Sequence, residues 1–214
     1  MSGSRPCLII AGSRELALQI AVHAATWGGF DVAGFLDDQR PAGEDLGPAK
    51  VLGGTHDPAT VRGNTRPSFL VGIGYRSMTG RAAAYRRLVC AMEPATLVHP
   101  SVVRGPMTDF GPGSVVLGAC SLDLRARIGA NVFVNPACSL SHDSVVKDHC
   151  FLAPGVVIAG NVLIEECVFL GVGTVVSDGV RIASGVRTGA GTVVVRDLDA
   201  PGLYVGAPAR RVRD

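Results

Sequence analysis

The hydrophobic pattern changes its period near residue 99, so the two parts of the chain predict different structures. Before that point, short apolar runs alternate with segments of helical period. The run CLIIA at 7–11 precedes ELALQIAVHAATWGG, in which Leu16, Ile20, Ala24 and Trp27 recur at helical spacing. This stretch predicts a strand, a turn and a helix.

The same alternation continues further along the chain. FDVAGFLDD predicts a second strand that ends at Asp37-Asp38, SFLVGIG at 68–74 a third, and GRAAAYRRLVCAM at 80–92 a second helix. Strands that alternate with helices favour a parallel sheet with helices on its faces. We therefore predict a small α/β domain of the doubly wound, Rossmann-like kind over residues 1–98.

After residue 99 the helical period is replaced by a period of six. Of the fifteen residues at one phase, from Phe110 to Val194, fourteen are Ile, Leu, Val or Phe, and a second phase four residues on carries smaller side chains. This period predicts a parallel β-helix of hexapeptide repeats over residues 99–214. If three hexads close one triangular coil, residues 18 apart stack, so Cys120 should lie beneath Cys138.

Composition narrows the classes of partner. The chain has 47% hydrophobic and 18% charged residues and a net charge of +2, which favours a folded protein and disfavours a general nucleic-acid or membrane-surface binder. Small molecules and copies of itself are the expected partners. The N-terminal apolar run is too short for a signal peptide or a membrane span, so a cytoplasmic location is expected. The six cysteines form no C-x-x-C pair, and we expect three of them to be packing residues: Cys120, Cys138 and Cys150.

The hexads and the ending GLYVGAPARRVR at 202–213 resemble the left-handed β-helix acyltransferases of the hexapeptide-repeat family. With the α/β domain in front, the chain resembles the acetyltransferases of nucleotide-linked amino sugars (the PglD type) and the related sialic acid O-acetyltransferases (the NeuD type). The resemblance implies a left-handed helix and acetyl-CoA as co-substrate with no metal. It further implies N-acetylation of a nucleotide-linked amino sugar for a surface polysaccharide, and a homotrimer with active sites between subunits.

His142 is the leading candidate for the chemistry. It lies off both inward-facing phases, and Asp143 follows it, so the carboxylate can orient the imidazole as a general base. The resemblance implies that His142 takes the proton of the acceptor during direct acyl transfer. Asn135, seven residues earlier, matches a family position that helps to orient the acceptor or the histidine. An asparagine that only forms a turn at a corner is an equally good interpretation.

The resemblance also implies a set of cofactor contacts. Gly160, Val172 and Ala190 align with positions that contact acyl-CoA in the family. Relatives commonly have a second histidine nine residues after the base, and this chain has Phe151 there. Arg210 and Arg211 are further candidates, for the CoA phosphates.

In the first domain, the candidate substrate contacts follow the predicted strands. The first strand–helix turn contains a single glycine of the G-x-G-x-x-G pattern, so NAD binding is disfavoured. The turn still offers helix N–H groups to an anion, an acid at a strand end can accept from a ribose, and a glycine allows close approach. The resemblance implies nucleotide-sugar contacts at Ser13, Arg14, Glu15, Asp37, Asp38 and Gly74. The alternative is a Rossmann-like domain kept for packing.

Other functions stay open at this level. O-acetylation of a sugar is the nearest rival, and a non-catalytic β-helix scaffold is a rival of another class. A thiol nucleophile is disfavoured because Cys150, next to His149, falls on an inward phase. A metal-dependent hydratase would need three histidines, and the repeat region after His99 has two, His142 and His149.

Overall fold

The structure is a computed structural model that describes residues 5–57 and 66–212. The chain divides into two compact units, Met1–Leu97 and Val98–Asp214. Each unit has its own type of secondary structure, α/β in the first and parallel β in the second.

The first unit is built on a five-stranded parallel sheet with the order β3-β2-β1-β4-β5. Its strands are β1 (Cys7–Ala11), β2 (Asp31–Leu36), β3 (Val51–Gly53), β4 (Ser68–Val71) and β5 (Glu93–Pro94). Helix α1 (Glu15–Thr26) follows β1, and a 3₁₀ turn (Tyr75–Ser77) and helix α2 (Met78–Leu88) follow β4. This order is doubly wound, and the carboxyl ends of β1, β2 and β4 meet at one edge, where such sheets bind ligands. The predicted Rossmann-like fold is confirmed.

Two predicted elements end earlier than the sequence indicated. Helix α2 stops at Leu88 rather than at residue 92, because Ala91 N–H bonds the Leu88 carbonyl at 2.9 Å in a tight turn. Strand β4 stops at Val71. A β-carbon on the next residue, Gly72, would lie 2.6 Å from the Ala17 α-carbon, so the missing side chain lets α1 pack against this turn.

The second unit consists of two- to four-residue strands in three sheets, which form the faces of a triangular coil. Face 1 contains β7 (Val103–Arg104), β10 (Ser121–Leu122), β13 (Ser139–Leu140), β16 (Val157–Ile158), β19 (Val175–Val176) and β22 (Val193–Val194). Face 2 contains β8 (Asp109–Phe110), β11 (Arg127–Ile128), β14 (Val145–Val146), β17 (Leu163–Ile164) and β20 (Arg181–Ile182).

Face 3 is the longest of the three sheets, with eight strands. It contains β6 (Leu97–Val98), β9 (Val115–Val116), β12 (Phe133–Val134), β15 (Phe151–Leu152), β18 (Phe169–Leu170), β21 (Val186–Thr188), β23 (Gly202–Val205) and β24 (Arg210–Arg211). All neighbours pair in parallel except β23 and β24, which are antiparallel.

The strands stack at the predicted interval of 18 residues. Leu122 pairs with Leu140, and Leu140 with Ile158, so the large hydrophobic phase forms continuous buried columns. The architecture is the left-handed parallel β-helix implied by the resemblance. The general rule for parallel crossovers gives the opposite hand, so the handedness could not have come from that rule.

The smaller phase also faces inward. Cys120, Cys138 and Cys150 are at most 1% exposed, which confirms them as packing residues. Each thiol lies near the carbonyl oxygen fifteen residues on, as at Cys138 Sγ to Ala153 O, 3.3 Å. A small side chain at this phase therefore fills the corner and also satisfies a backbone acceptor.

Three corners join the faces. The first corner, between faces 1 and 2, includes residues 141–144, and the second, between faces 2 and 3, includes 147–150. The third, between faces 3 and 1, includes 135–138. At each corner the third residue has a positive φ, for example 58° at Asp143 and 62° at His149. This conformation is tolerated best by Gly, Asn and Asp.

No helix within residues 5–57 and 66–212 is both long enough and apolar enough to cross a membrane.

Candidate active site

His142 and Asp143 occupy the first corner of the β-helix. His142 Nδ1 lies 3.1 Å from Asp143 Oδ2, and the side chains are 49% and 32% exposed. The pair therefore stands at the surface of the corner with the imidazole open to an incoming ligand. The prediction that His142 lies off the packing phases is confirmed.

Arg125 lies one coil below and holds the Asp143 carboxylate with two hydrogen bonds. Arg125 Nε donates to Oδ1 at 2.6 Å, and Nη2 donates to Oδ2 at 2.9 Å. The two residues are 18 apart and share the left-handed conformation of the corner, with φ of 56° and 58°. Their side chains consequently leave the backbone in the same direction on adjacent coils. This geometry is the bidentate arrangement that suits guanidinium and carboxylate.

The charge of Asp143 determines which nitrogen of His142 is available. The Arg125 guanidinium, and secondarily His142, lower the pKa of the Asp143 carboxyl from its usual 3.8 to about 2. The same ion pair raises the pKa of Arg125. An ionised carboxylate can only accept hydrogen bonds, so the Nδ1 of a neutral His142 must donate. Nε2 then carries the lone pair and faces away from Asp143.

Gly160 lies against the side of the His142 ring that faces away from Asp143. It lies one coil above His142, where Asn161 N–H bonds the His142 carbonyl at 3.0 Å. A β-carbon on Gly160 would lie 2.6 Å from His142 Cε1 and 2.7 Å from Nε2. The ring therefore needs a glycine at this position.

The remaining candidates of the β-helix lie away from this corner. Asn135, Val172 and Ala190 are all at the third corner, at the opposite end of face 1. Asn135 Nδ2 donates to the Leu152 carbonyl at 2.8 Å, and Val172 is 53% exposed. One chain therefore brings together His142, Asp143 and Gly160, and holds the other three on a separate edge.

Phe151 lies on face 3 rather than at a corner. Its ring is stacked on Phe133 at 5.1 Å between centroids and tilted against Phe169 at 5.9 Å. The residue is 6% exposed. Within a single chain, Phe151 is therefore part of a column of aromatic rings on face 3. Its contact with acyl-CoA stays a prediction.

His149 lies at the second corner, away from His142. It is 4% exposed, and its Nδ1 lies 3.0 Å from Asn131 Nδ2, one coil below. Within residues 5–57 and 66–212, no three His, Cys, Asp or Glu side chains are grouped so as to hold a metal ion.

The buried thiols face the interior. The Cys138 pKa is raised by its hydrogen bond with Cys120 and by burial. Cys150 Sγ lies 3.0 Å from the Glu165 carbonyl, directed inward although His149 precedes it. Neither thiol can therefore reach a ligand at the first corner.

In the first unit, the carboxyl edge of the sheet brings together Ser13 and Asp37. Ser13 Oγ donates to Asp37 Oδ2 at 2.5 Å, and Gln39 N–H donates to Oδ1 at 2.8 Å. Gly12, with φ of 102°, lets the backbone of this turn approach Gly72. The Arg14 side chain provides no hydrogen bond to cap α1, so the helix end has N–H groups available for an anion.

The other predicted contacts of this edge have different surroundings. Asp38 accepts from Thr55 N–H at 2.6 Å and from Thr55 Oγ1 at 2.9 Å, so its carboxylate fixes the turn after β3. Glu15 is exposed in the first turn of α1. Gly74 directly precedes the 3₁₀ turn, in an extended conformation.

Sequence reasoning missed Arg125 and Arg81. Arg125 stands at the 18-residue interval from Asp143, so the period that predicted the stacking could have found it. Arg81 is 0% exposed and donates to the carbonyls of Val71 and Ile73 at 2.9 and 3.1 Å. It anchors the loop before Gly74, and nothing in the local sequence distinguishes it from a surface arginine of α2.

Comparison with known proteins finds a family match in the same part of the β-helix. Residues 125–160 match the family model of the bacterial transferase hexapeptide (six repeats). The matched segment begins at Arg125, ends at Gly160 and includes His142 and Asp143. The comparison with curated protein sequences gives no match.

Solved structures resemble the chain over nearly its whole length. PerB from Caulobacter crescentus, in complex with CoA and GDP-perosamine, is 26% identical with a TM-score of 0.87, covering 100% of this chain and 99% of that one. The acetyltransferase domain of PglB from Neisseria gonorrhoeae, in complex with acetyl coenzyme A, is 26% identical with a TM-score of 0.85, covering 98% and 100%. WeeI from Acinetobacter baumannii, at 22% identity, shares the fold, with a TM-score of 0.82 over 96% and 99%.

The chain therefore has the hexapeptide repeats and the left-handed β-helix fold of the hexapeptide-repeat acyltransferases, which supports acyltransferase activity. Within that class it has the form of the nucleotide-sugar N-acetyltransferases, the group that the sequence resembles.

Proposed function

We propose that the protein transfers an acetyl group from acetyl-CoA to the amine of a nucleotide-linked amino sugar, with His142 as general base. The observation that carries this proposal is the first corner, where Arg125 and Asp143 orient His142 through Nδ1 and Nε2 lies beside Gly160. A related perosamine N-acetyltransferase was solved with CoA and GDP-perosamine as histidine mutants, which supports a histidine as the residue of interest.

The chemistry proceeds by direct transfer. The amine nitrogen of the acceptor attacks the thioester carbon, and the adduct then carries a surplus proton on nitrogen. His142 Nε2 removes that proton, the carbon–sulfur bond breaks, and the imidazolium returns the proton to the CoA sulfur. Asp143 stabilises the imidazolium through Nδ1 without taking the proton itself, because Arg125 keeps it ionised. The products are the N-acetyl sugar and free CoA.

The nucleotide part of the acceptor is assigned to the carboxyl edge of the first unit. Asp37 follows β2 with an oxygen already bonded to Ser13, and the uncapped end of α1 suits a phosphate. Arg14, Glu15, Asp38 and Gly74 line the same edge and are the further candidate contacts. The related PerB structure contains GDP-perosamine, which supports this class of acceptor.

The acetyl-CoA site involves, in this proposal, more than one copy of the chain. The candidates divide between the first corner, with Gly160, and the third corner, with Asn135, Val172 and Ala190. Because a face separates these corners within one chain, a neighbouring subunit is needed to bring them together. A homotrimer with threefold symmetry provides such a contact at each of three grooves. The oligomeric mass in solution tests this, and a monomer at micromolar concentration would contradict it.

The experiment that tests the function is a screen of UDP-, GDP- and dTDP-linked amino sugars with acetyl-CoA. Transfer is followed as release of free thiol, and mass spectrometry of the sugar product must show one added acetyl group. At least one amino sugar should react in a manner that depends on His142. If none of these amino sugars reacts, the proposed acceptor class is wrong.

A further inference from the structure

A notch at Gly160 separates His142 from a second carboxylate, that of Asp178. The three residues stack on successive coils of the first corner, linked by Asn161 N–H to the His142 carbonyl and Gly179 N–H to the Gly160 carbonyl. A β-carbon on Gly160 would lie 2.7 Å from His142 Nε2 and 2.8 Å from Asp178 Oδ1. The two atoms therefore face one point, and their separation cannot exceed the sum of these distances.

Both atoms are available to a ligand. Among the described residues, the imidazole ring is bonded by Asp143 through Nδ1, and no hydrogen bond or ion pair joins it to Asp178. Asp178 Oδ1 receives a long hydrogen bond of 3.4 Å from Asn161 Nδ2. Asp178 is exposed, and half of the His142 side chain is exposed as well. The notch thus presents two hydrogen-bond acceptors to the same small space.

An amine matches this pair of acceptors better than a hydroxyl does. A nitrogen placed just outside the notch can lie about 2.9 Å from both atoms, the normal length of such bonds. A neutral amine has two N–H bonds and one lone pair, so it can donate to both acceptors and direct the lone pair at a thioester carbon. A hydroxyl has one hydrogen. It can satisfy one acceptor only, and its remaining lone pairs would face the other.

We propose that Asp178 selects an amine as the acceptor by receiving one amine hydrogen while His142 receives the other. This inference rests on the proposed acetyl transfer and names the feature that makes it N-acetylation. During the reaction the nitrogen–carbon bond forms, and the hydrogen held by His142 passes to the CoA sulfur as the carbon–sulfur bond breaks. The hydrogen held by Asp178 stays on nitrogen and becomes the N–H of the product amide.

The test compares an amine acceptor with its hydroxyl counterpart. Asp178→Ala and Asp178→Asn are assayed with an amino sugar that the wild type acetylates, and with the same nucleotide sugar bearing a hydroxyl in place of the amine. Asp109→Asn is the matched control, because Asp109 is exposed on face 2 and bonds its own neighbour, Phe110 N–H, at 2.9 Å. It removes the same charge away from the notch.

The expected result is a specific loss of amine selectivity. Asp178→Ala should raise the KM for the amine at least about tenfold, as expected for one lost hydrogen bond to a charged group. It should leave the KM for acetyl-CoA within about twofold, and it should lower the amine-to-hydroxyl ratio of kcat/KM by about tenfold. Asp178→Asn, which keeps an acceptor oxygen, should show a smaller effect in the same direction. Asp109→Asn should match the wild type.

Each contrary outcome has a separate meaning. An unchanged KM for the amine in Asp178→Ala overturns the role of Asp178 and leaves the proposed function intact. A wild type that prefers the hydroxyl sugar overturns amine selection while keeping acyl transfer. Absence of transfer to every amino sugar overturns the proposed function, and this inference with it.

Discussion

Arg125 holds both carboxylate oxygens of Asp143 from the coil below, at 2.6 and 2.9 Å, and Asp143 in turn lies 3.1 Å from His142 Nδ1. The three side chains form a chain of contacts that ends at the imidazole. Arg125 lies on the coil below His142, whereas Nε2 lies beside Gly160 on the coil above, so Arg125 acts as a positioning residue for His142. Its removal should disturb the orientation and charge of the base rather than ligand binding.

Replacing Arg125 by Met should lower kcat about tenfold, equivalent to ~1.4 kcal/mol of transition-state stabilisation. The KM for acetyl-CoA should stay unchanged. Loss of the guanidinium also removes the main cause of the lowered Asp143 pKa, so this carboxyl should titrate closer to its usual 3.8.

Two further variants give this prediction its controls. Arg125→Lys keeps the charge but cannot form the bidentate pair, so it should restore kcat only in part. Arg127→Met removes an exposed arginine of face 2, two residues away, and should leave kcat and both KM values unchanged. A raised KM for acetyl-CoA with a normal kcat would show that Arg125 binds ligand instead.

The Asp143 ion pair should contribute stability that disappears in acid. Its pKa is lowered to about 2 in the folded protein, against a usual value of 3.8. A lowered folded-state pKa means that the contribution is complete above about pH 4 and is lost as the pH falls through about 2. In urea unfolding, the difference in free energy between the wild type and Asp143→Asn should shrink over that window. A difference that is constant from pH 6 to pH 2 would contradict the pairing.

Gly160→Ala should impair turnover without unfolding the β-helix. The added methyl group would meet the His142 ring at 2.6 Å, and a surface side chain can turn away from it. A displaced imidazole no longer directs Nε2 at the acceptor, so kcat should fall by at least about tenfold. The melting temperature should change little. Unaltered turnover would mean that the imidazole works from a different orientation.

Substitutions at the carboxyl edge of the α/β unit should change the KM for the nucleotide sugar alone. Asp37→Asn and Ser13→Ala remove the two members of the 2.5 Å hydrogen bond after β1 and β2. We expect the KM for the nucleotide sugar to rise about three- to tenfold, in line with loss of a single hydrogen bond. The KM for acetyl-CoA should be unchanged. Equal effects on both KM values would indicate a general loss of folding, which circular dichroism would reveal.

The six-residue period of the sequence was the main source of the predictions for the β-helix. The six-residue period separated His142 from the packing residues, because the interior of the coil admits only two phases. The same period placed Leu122 under Leu140, as the structure has it. It also contained, unused, the 18-residue relation of Arg125 to Asp143 and the 36-residue relation of Asp178 to His142.

Other features could not be predicted from the pattern. The end of α2 at Leu88 depends on a tight turn that the apolar spacing does not encode. The burial of Arg81 depends on the carbonyls of a loop that is close in space only after folding. Phe151 contacts the rings of Phe133 and Phe169 because all three residues lie on the same face of the coil. The hexad phase alone does not say which of the three faces a given hexad forms.

The proposed acetyl transfer depends most on His142, and one measurement tests the role of this residue directly. The turnover of His142→Ala with acetyl-CoA and the reactive amino sugar should be about 10² to 10⁴ times lower than that of the wild type, with the same oligomeric mass. His149→Asn serves as the matched control. It changes a buried histidine at another corner and should lower the melting temperature while leaving kcat near normal. A His142→Ala variant that retains near-normal turnover would contradict the mechanism.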